Sequence, residues 1–160
     1  MKIIGIDPGL VQTGYGIINV SNNQTSLIDY GIIKPPQKDS LANRLLTIFN
    51  DVCEIISSYN PQILAIEEVF FGKNVKSAMR LGQARGASMV AAASKGIPIY
   101  EYSARKVKQS VTGNGNAHKT QVQFMVKVKL KMAHNPEPMD AADALAIALC
   151  HNHQFKMADL

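Results

Sequence analysis

No stretch of this 160-residue chain approaches the roughly 20 consecutive apolar residues that a membrane-spanning helix needs. Cysteine is scarce. Cys53 and Cys150 stand far apart, each in an apolar, helix-like setting. Two such residues make no disulfide framework, and a reducing, cytoplasmic compartment is the expectation. Internal repeats, low-complexity tracts and linker-like segments are missing as well. A single domain over residues 1–160 is expected, with a flexible tail from about residue 152. The opening MKIIGIDPG has too short an apolar stretch for a signal peptide and reads as a first strand.

The most informative absence is of negative charge. Between Glu101 and Glu137 there is no Asp or Glu, while Arg105, Lys106, Lys108, Lys119, Lys127, Lys129 and Lys131 all occur there. The chain as a whole carries a formal charge of +5. A solvated basic face would account for a scattered excess. This stretch, however, lies between two elements marked by carboxylates, which points to a polyanion held across a site.

What is present reads as alternating elements. Residues 2–7, 13–20 and 25–33 read as strands, joined by turns at Pro8-Gly9 and Ser21-Asn22-Asn23. Pro35-Pro36 ends this meander, and Asp39 or Ser40 can cap the next helix. There Leu41, Leu45, Ile48, Phe49, Val52, Ile55 and Ile56 recur at helical spacing until Asn60-Pro61. A strand at 62–67, a helix from about Asn74 to Lys95 and a short strand Ile97–Tyr100 follow. Residues 112–116, TGNGN, read as a mobile loop. By pattern alone residues 117–132 are ambiguous: 126–132 alternates like a strand, yet Val122, Met125, Val126, Leu130 and Ala133 fit a helical stripe with Asn116 as N-cap. The fold class is α/β, a mixed sheet flanked by helices.

Four acids punctuate these elements. Asp7 ends the apolar run Ile3–Ile6, and Glu67 ends the run Ile63–Ile66. If the two strands are parallel neighbours, both side chains reach the sheet edge where α/β folds bind ligands. Alternation sends Glu67 and Glu68 to opposite faces, so only one can join Asp7. Asp140 and Asp143 open the helix DAADALAIAL three residues apart, on one face. Each alone has a plainer explanation as a turn, a strand end or a cap. Together they are costly, because two unit charges about 4 Å apart repel by about 4 kcal/mol at an effective dielectric near 20. All-oxygen donors favour Mg²⁺ or Mn²⁺, and paired ions of this kind support phosphodiester cleavage.

The segments MKIIGIDPGLVQTGYGII, AIEEVFFGKNVKSAMRLGQARG, YSARKVKQSVTGNG and DAADALAIA together resemble the RuvC family of Holliday junction resolvases, in order and over nearly the whole chain. The resemblance implies a ribonuclease H-like fold with a five-stranded sheet, its first three strands antiparallel and the rest parallel. It implies a homodimer that cuts four-way DNA junctions by paired, symmetric, Mg²⁺-dependent hydrolysis in recombination and repair, leaving 5′-phosphate and 3′-hydroxyl ends. Two Mg²⁺ per site, replaceable by Mn²⁺, and the RuvA–RuvB branch-migration complex as partner are further implications. Catalytic and metal-ligand roles fall on Asp7, Glu67, Asp140 and Asp143, with Glu67 chosen over Glu68. Lys108 and Lys119 match lysines of catalysis and DNA binding, and Phe70 matches an aromatic that stacks on a base. Lys73, Asn74, Arg80 and Arg105 complete the expected DNA contacts. The family pattern also selects helix for 117–132. Ala78, Gly82 and Gly86 form a small-residue stripe suited to close helix approach, and Arg80 and Arg85 are candidates for phosphate or interface.

This chain departs from the family at Glu68, commonly an uncharged polar residue, and at His118, commonly acidic. Cys150, His151 and His153 are too few for a zinc site. The first hairpin also resembles that of actin-like ATPases, which need a second lobe that 160 residues leave no room for.

Overall fold

The computed structural model describes residues 1–69, 72 and 74–158. Its strands are β1 (Lys2–Asp7), β2 (Thr13–Ser21), β3 (Gln24–Ile33), β4 (Ile63–Glu67) and β5 (Ile99–Tyr102). They form one sheet in the order β3-β2-β1-β4-β5. The β1–β2 and β2–β3 pairs are antiparallel, whereas β4 lies parallel to both β1 and β5. This is the mixed sheet expected from the sequence. Among the described residues five helices complete the fold: α1 (Leu41–Tyr59), α2 (Val75–Ser94), α3 (Ala104–Thr112), α4 (Lys119–Lys129) and α5 (Met139–Ala158).

Strand alternation divides the core in two. Ile4, Ile6, Leu64 and Ile66 face one way and pack with Ile48, Val52 and Ile56 of α1 and Ala84, Ala91 and Ala92 of α2. Ile3, Ile63 and Ala65 face the other way, toward Val107, Val122, Val126 and the middle of α5. Asp7 and Glu67 share the parity of this second set, so both emerge on the α5 side of the sheet. The parallel register Ile6↔Ile66 brings these two strand ends level.

Helix α5 lies unusually close to the sheet because both surfaces are built of small residues. A Cβ on Gly5 would come within 2.0 Å of the Ala144 carbonyl oxygen, and one on Gly14 within 2.0 Å of the Asp140 carbonyl oxygen. Ala141, Ala142, Ala144, Leu145, Ala146, Ile147 and Ala148 are all buried. The stretch Ala144–Cys150, covered on every side, needs no polar stripe, which explains its uniformly apolar sequence.

Local chemistry sets the remaining boundaries. Ser40 caps α1 by accepting from the Asn43 N–H, and Asn60, with φ of 50°, closes it. Strand β5 starts later than expected from the sequence, at Ile99 rather than Ile97. Pro98 has no N–H to give the ladder, though its carbonyl accepts from Leu64 N at 3.0 Å. Helix α4 is shorter than the expected 117–132 and is capped by His118, not Asn116. His118 and Gln121 satisfy each other's backbone N–H groups in a capping box. The loop 112–116 is stapled rather than slack: Gln109 bonds the Gly113 carbonyl and the Gly115 N–H, both at 2.9 Å. Helix α3 is absent from the sequence-based assignment, although Ser103 caps it and Gly113 ends it at φ of 81°. The tail expected from about residue 152 is instead the last part of α5. Asn152 is buried and donates to the Thr25 hydroxyl at 3.0 Å, which ties that part of the helix to β3.

Candidate active site

Asp7 ends β1, Glu67 ends β4, Asp140 lies in the first turn of α5 and Asp143 follows it three residues on. One carboxylate oxygen from each of Asp7, Asp140 and Asp143 lies within 4.8 Å of the other two. Glu67 stands outside this tight group but lines the same cavity of about 720 Å³, which has room for a phosphodiester as well as bound ions. Lys108 from α3 and Lys119 from the first turn of α4 line it too, with Gln12, Val11 and Leu10 from the β1–β2 loop. Glu68 points away and is exposed, its N–H bonded to the Tyr102 carbonyl at 2.9 Å.

The electrostatics of this group are adverse in the absence of a cation. Burial, then Asp143, Glu67 and Asp140 in turn, push the Asp7 carboxyl up to about 8, with Lys119 opposing the rise. Burial also raises Glu67, reinforced by Asp143 and opposed by Lys119 and Lys108. Asp143 is raised by burial, with Lys119 and Lys108 opposing and Asp140 reinforcing. A proton is thus held where a metal ion would relieve the same repulsion more fully. The donors are hard oxygens that lie within 4.8 Å of one another, a donor set of the kind that divalent cations such as Mg²⁺ take. The residues therefore fit a divalent metal.

Several contacts fix the site's geometry. The Gln12 amide donates from Nε2 to Oδ2 of Asp140. Arg85 donates from Nε to the Glu67 carbonyl at 2.9 Å and pairs with Glu101 through its terminal nitrogen. Arg85, read from the sequence as a phosphate or interface candidate, thus braces the end of β4. Its position three residues past Gly82 in an apolar helix gave no hint of this partner. Gln12 drew no attention in the sequence either, since its partner lies 128 residues away.

Other expected site residues lie elsewhere. Asn74 caps α2 through a 3.2 Å bond from the Ser77 N–H, and Arg80 is exposed on that helix. Arg105 is exposed on α3, its side chain against Gly115. Phe70 and Lys73 fall outside the described residues. Cys150 and His151 are buried and structurally engaged: the Cys150 thiol donates to Ser110, and His151 Nδ1 bonds the Tyr102 hydroxyl at 2.8 Å. His151 also lies against the Tyr100 ring, with centroids 4.6 Å apart.

Residues 3–151 match the family model described as crossover junction endodeoxyribonuclease RuvC. A curated protein of that name from Pseudoalteromonas atlantica is 54% identical over 151 residues, covering 94% of this chain and 86% of its own. The Thermus thermophilus RuvC structure superposes with a TM-score of 0.91 at 35% identity, over 99% of this chain and 97% of that one. The structure of T. thermophilus RuvC in complex with a Holliday junction substrate superposes at 0.89 with 33% identity, over 98% and 96%. The mixed sheet and its helices are those of the ribonuclease H-like fold. Near-complete coverage in both sequence and structure leaves one assignment: this chain belongs to the RuvC family of crossover junction endodeoxyribonucleases.

Proposed function

We propose that this chain is a structure-selective endonuclease that resolves four-way DNA junctions by paired, symmetric hydrolysis. Its products would be nicked duplexes with 5′-phosphate and 3′-hydroxyl ends, in recombination and repair. The observation that carries this reading is the convergence of four acids and two lysines from β1, β4, α3, α4 and α5 on one cavity. A chain of the same family has been seen with a Holliday junction substrate.

In this reading Asp7, Glu67, Asp140 and Asp143 hold Mg²⁺, two ions per site, with Mn²⁺ as a substitute. Bound there, the ions would lower the pKa of water and stabilise charge on the leaving oxygen. The chain's own residues do the rest. Lys119, at the N-terminus of α4 where free N–H groups already favour an anion, would hold a phosphate oxygen. Lys108 would do so from the α3 side. Together they compensate the repulsion between a DNA strand and the acids. Asn74, Arg80 and Arg105, with Phe70 and Lys73, would carry the flanking DNA. No described helix is long and apolar enough to cross a membrane. We place the protein in the cytoplasm, working with the RuvA–RuvB complex.

The dimer is proposed to form through α2. On this helix Val75, Met79 and Val90 are exposed, and among the described residues nothing lies within 4 Å of where a Cβ on Gly82 or Gly86 would stand. These positions form one apolar, small-residue face on which a second copy can lie closely.

The experiment is a comparison of substrates: a four-way junction, a linear duplex of the same sequence and an RNA–DNA hybrid, each with Mg²⁺ and with chelator. Cleavage confined to the junction and dependent on Mg²⁺ supports the proposal. Equal cutting of the duplex or hybrid, or junction cutting undiminished in chelator, overturns it.

A further inference from the structure

We infer that Gln12 is a positioning residue for Asp140: its side-chain amide holds that carboxylate in the orientation in which it meets the metal. The inference rests on the metal-site reading of the four acids. The physical basis is the hydrogen bond from Gln12 Nε2 to Asp140 Oδ2 and the construction of the loop that delivers it.

That loop is built to keep Gln12 in place. The Thr13 hydroxyl, fully buried, donates to the Gly9 carbonyl at 2.8 Å and accepts from the Gly9 N–H at 3.1 Å, closing the turn on itself. A Cβ on Gly9 would lie 2.2 Å from the Gln12 carbonyl oxygen, so glycine is required for the turn to pass so near. Arg44 of α1 donates to the Leu10 carbonyl at 2.7 Å and anchors the loop from outside. On its far side Gly14 rests directly on the Asp140 backbone. Gln12 is therefore set between two fixed points, one of them the residue it binds.

The chemistry of the amide suits the task. A carboxylate that ligates a metal has further lone pairs, and a donor on one oxygen fixes the rotamer and directs the remaining pairs. A lysine in this place would neutralise Asp140 and compete with the cation. A glutamine donates without carrying charge, so it restrains the ligand while leaving the negative potential for the ion. It also restrains Asp140 before the ion arrives, which spares the ion part of the ordering that binding would otherwise require. Loss of an outer contact of this type lowers metal affinity by roughly 10–100-fold.

The test measures metal binding directly, with Mn²⁺ alone as probe and free Mn²⁺ counted by its electron paramagnetic resonance signal. The full chain is used as wild type, Gln12→Leu, Gln12→Met, Gln12→His and Asp7→Asn, with far-ultraviolet circular dichroism to confirm folding. Gln12→Leu and Gln12→Met are expected to weaken Mn²⁺ binding by about 10-fold or more, and Gln12→His, which keeps an N–H donor, to recover part of the loss. On junction DNA, the Mg²⁺ concentration for half-maximal rate should rise in the apolar variants while the rate at saturating Mg²⁺ is largely retained. A folded apolar variant that binds Mn²⁺ as wild type does, while Asp7→Asn loses binding, overturns the role of Gln12 alone. Failure of wild type to bind Mn²⁺ at all overturns the metal reading beneath it.

Discussion

Asp7 is the residue at which the conflict between folding and function is sharpest. Its carboxyl is pushed up to about 8, burial being the main cause and Asp143, Glu67 and Asp140 adding to it. Its folded value lies above its unfolded one, so folded protein holds a proton over a pH range in which unfolded protein has released it. The associated stability is present in full below about 4, the ordinary carboxylate value, and is lost as pH rises toward 8. Glu67 and Asp143, also raised, act in the same direction. Urea unfolding in chelator should therefore show stability falling between pH 5 and 8, with a shallower fall in Asp7→Asn. Because protons and metal compete for the same oxygens, added Mg²⁺ should stabilise wild type more at pH 8 than at pH 5. Asp7→Asn should also abolish cutting while leaving junction binding intact or tighter, since a charge that repels phosphate is gone. Identical pH slopes in the two proteins would show that Asp7 is not the residue bearing the burden.

At the scale of elements, the site is made by the docking of α5 on β1 and β2. Gly5, Gly14 and Gly16 meet Ala144, Asp140 and Leu145 at distances that admit no side chain, and the atoms met at Gly5 and Gly14 are backbone that cannot swing aside. Gly5→Ala should force α5 off the sheet, at a cost of about 1–3 kcal/mol or more, and separate Asp140 and Asp143 from Asp7. Thermal melts together with Mn²⁺ affinity check this, and a variant unchanged in both would contradict it. The same comparison explains what could be read from the sequence. Asp7 and Glu67 were legible because each ends a short apolar run; strand parity showed that only one of Glu67 and Glu68 could join Asp7, and the family resemblance chose Glu67. Asp140 and Asp143 were legible as an i, i+3 pair. Helix α3 was not, because its nine residues carry two valines among cations and read as a basic stretch. The end of α5 was mistaken for a tail because His151, His153 and Asn152 look solvent-seeking. Yet His151 is covered by Tyr100 and Tyr102, and Asn152 is held by Thr25. Gln12, and the bracing contact of Arg85, were invisible because they depend on partners supplied by other elements.

At the scale of the whole molecule, one site can cut only one strand, and resolving a junction needs two cuts related by symmetry. The apolar face of α2 bears on this. Val75, Met79 and Val90 are 71%, 62% and 59% exposed, a degree of exposure that leaves this helix face unpartnered among the described residues. On a twofold interface each residue near the axis meets its own copy, so one substitution acts twice. Met79→Glu combined with Val90→Glu would set like charges against each other across that axis. Both side chains already lie in solvent in the monomer, so the fold itself should persist with an unchanged circular dichroism spectrum. Sedimentation equilibrium should then report monomer where wild type reports dimer. On a supercoiled plasmid extruding a cruciform, wild type should yield linear product through two coupled incisions. The uncoupled variant should accumulate nicked circles, because the first cut releases the supercoiling that maintained the junction before a second active site arrives. A variant that stays dimeric and still linearises the plasmid would place the interface on another face and leave the exposed stripe of α2 to a different partner.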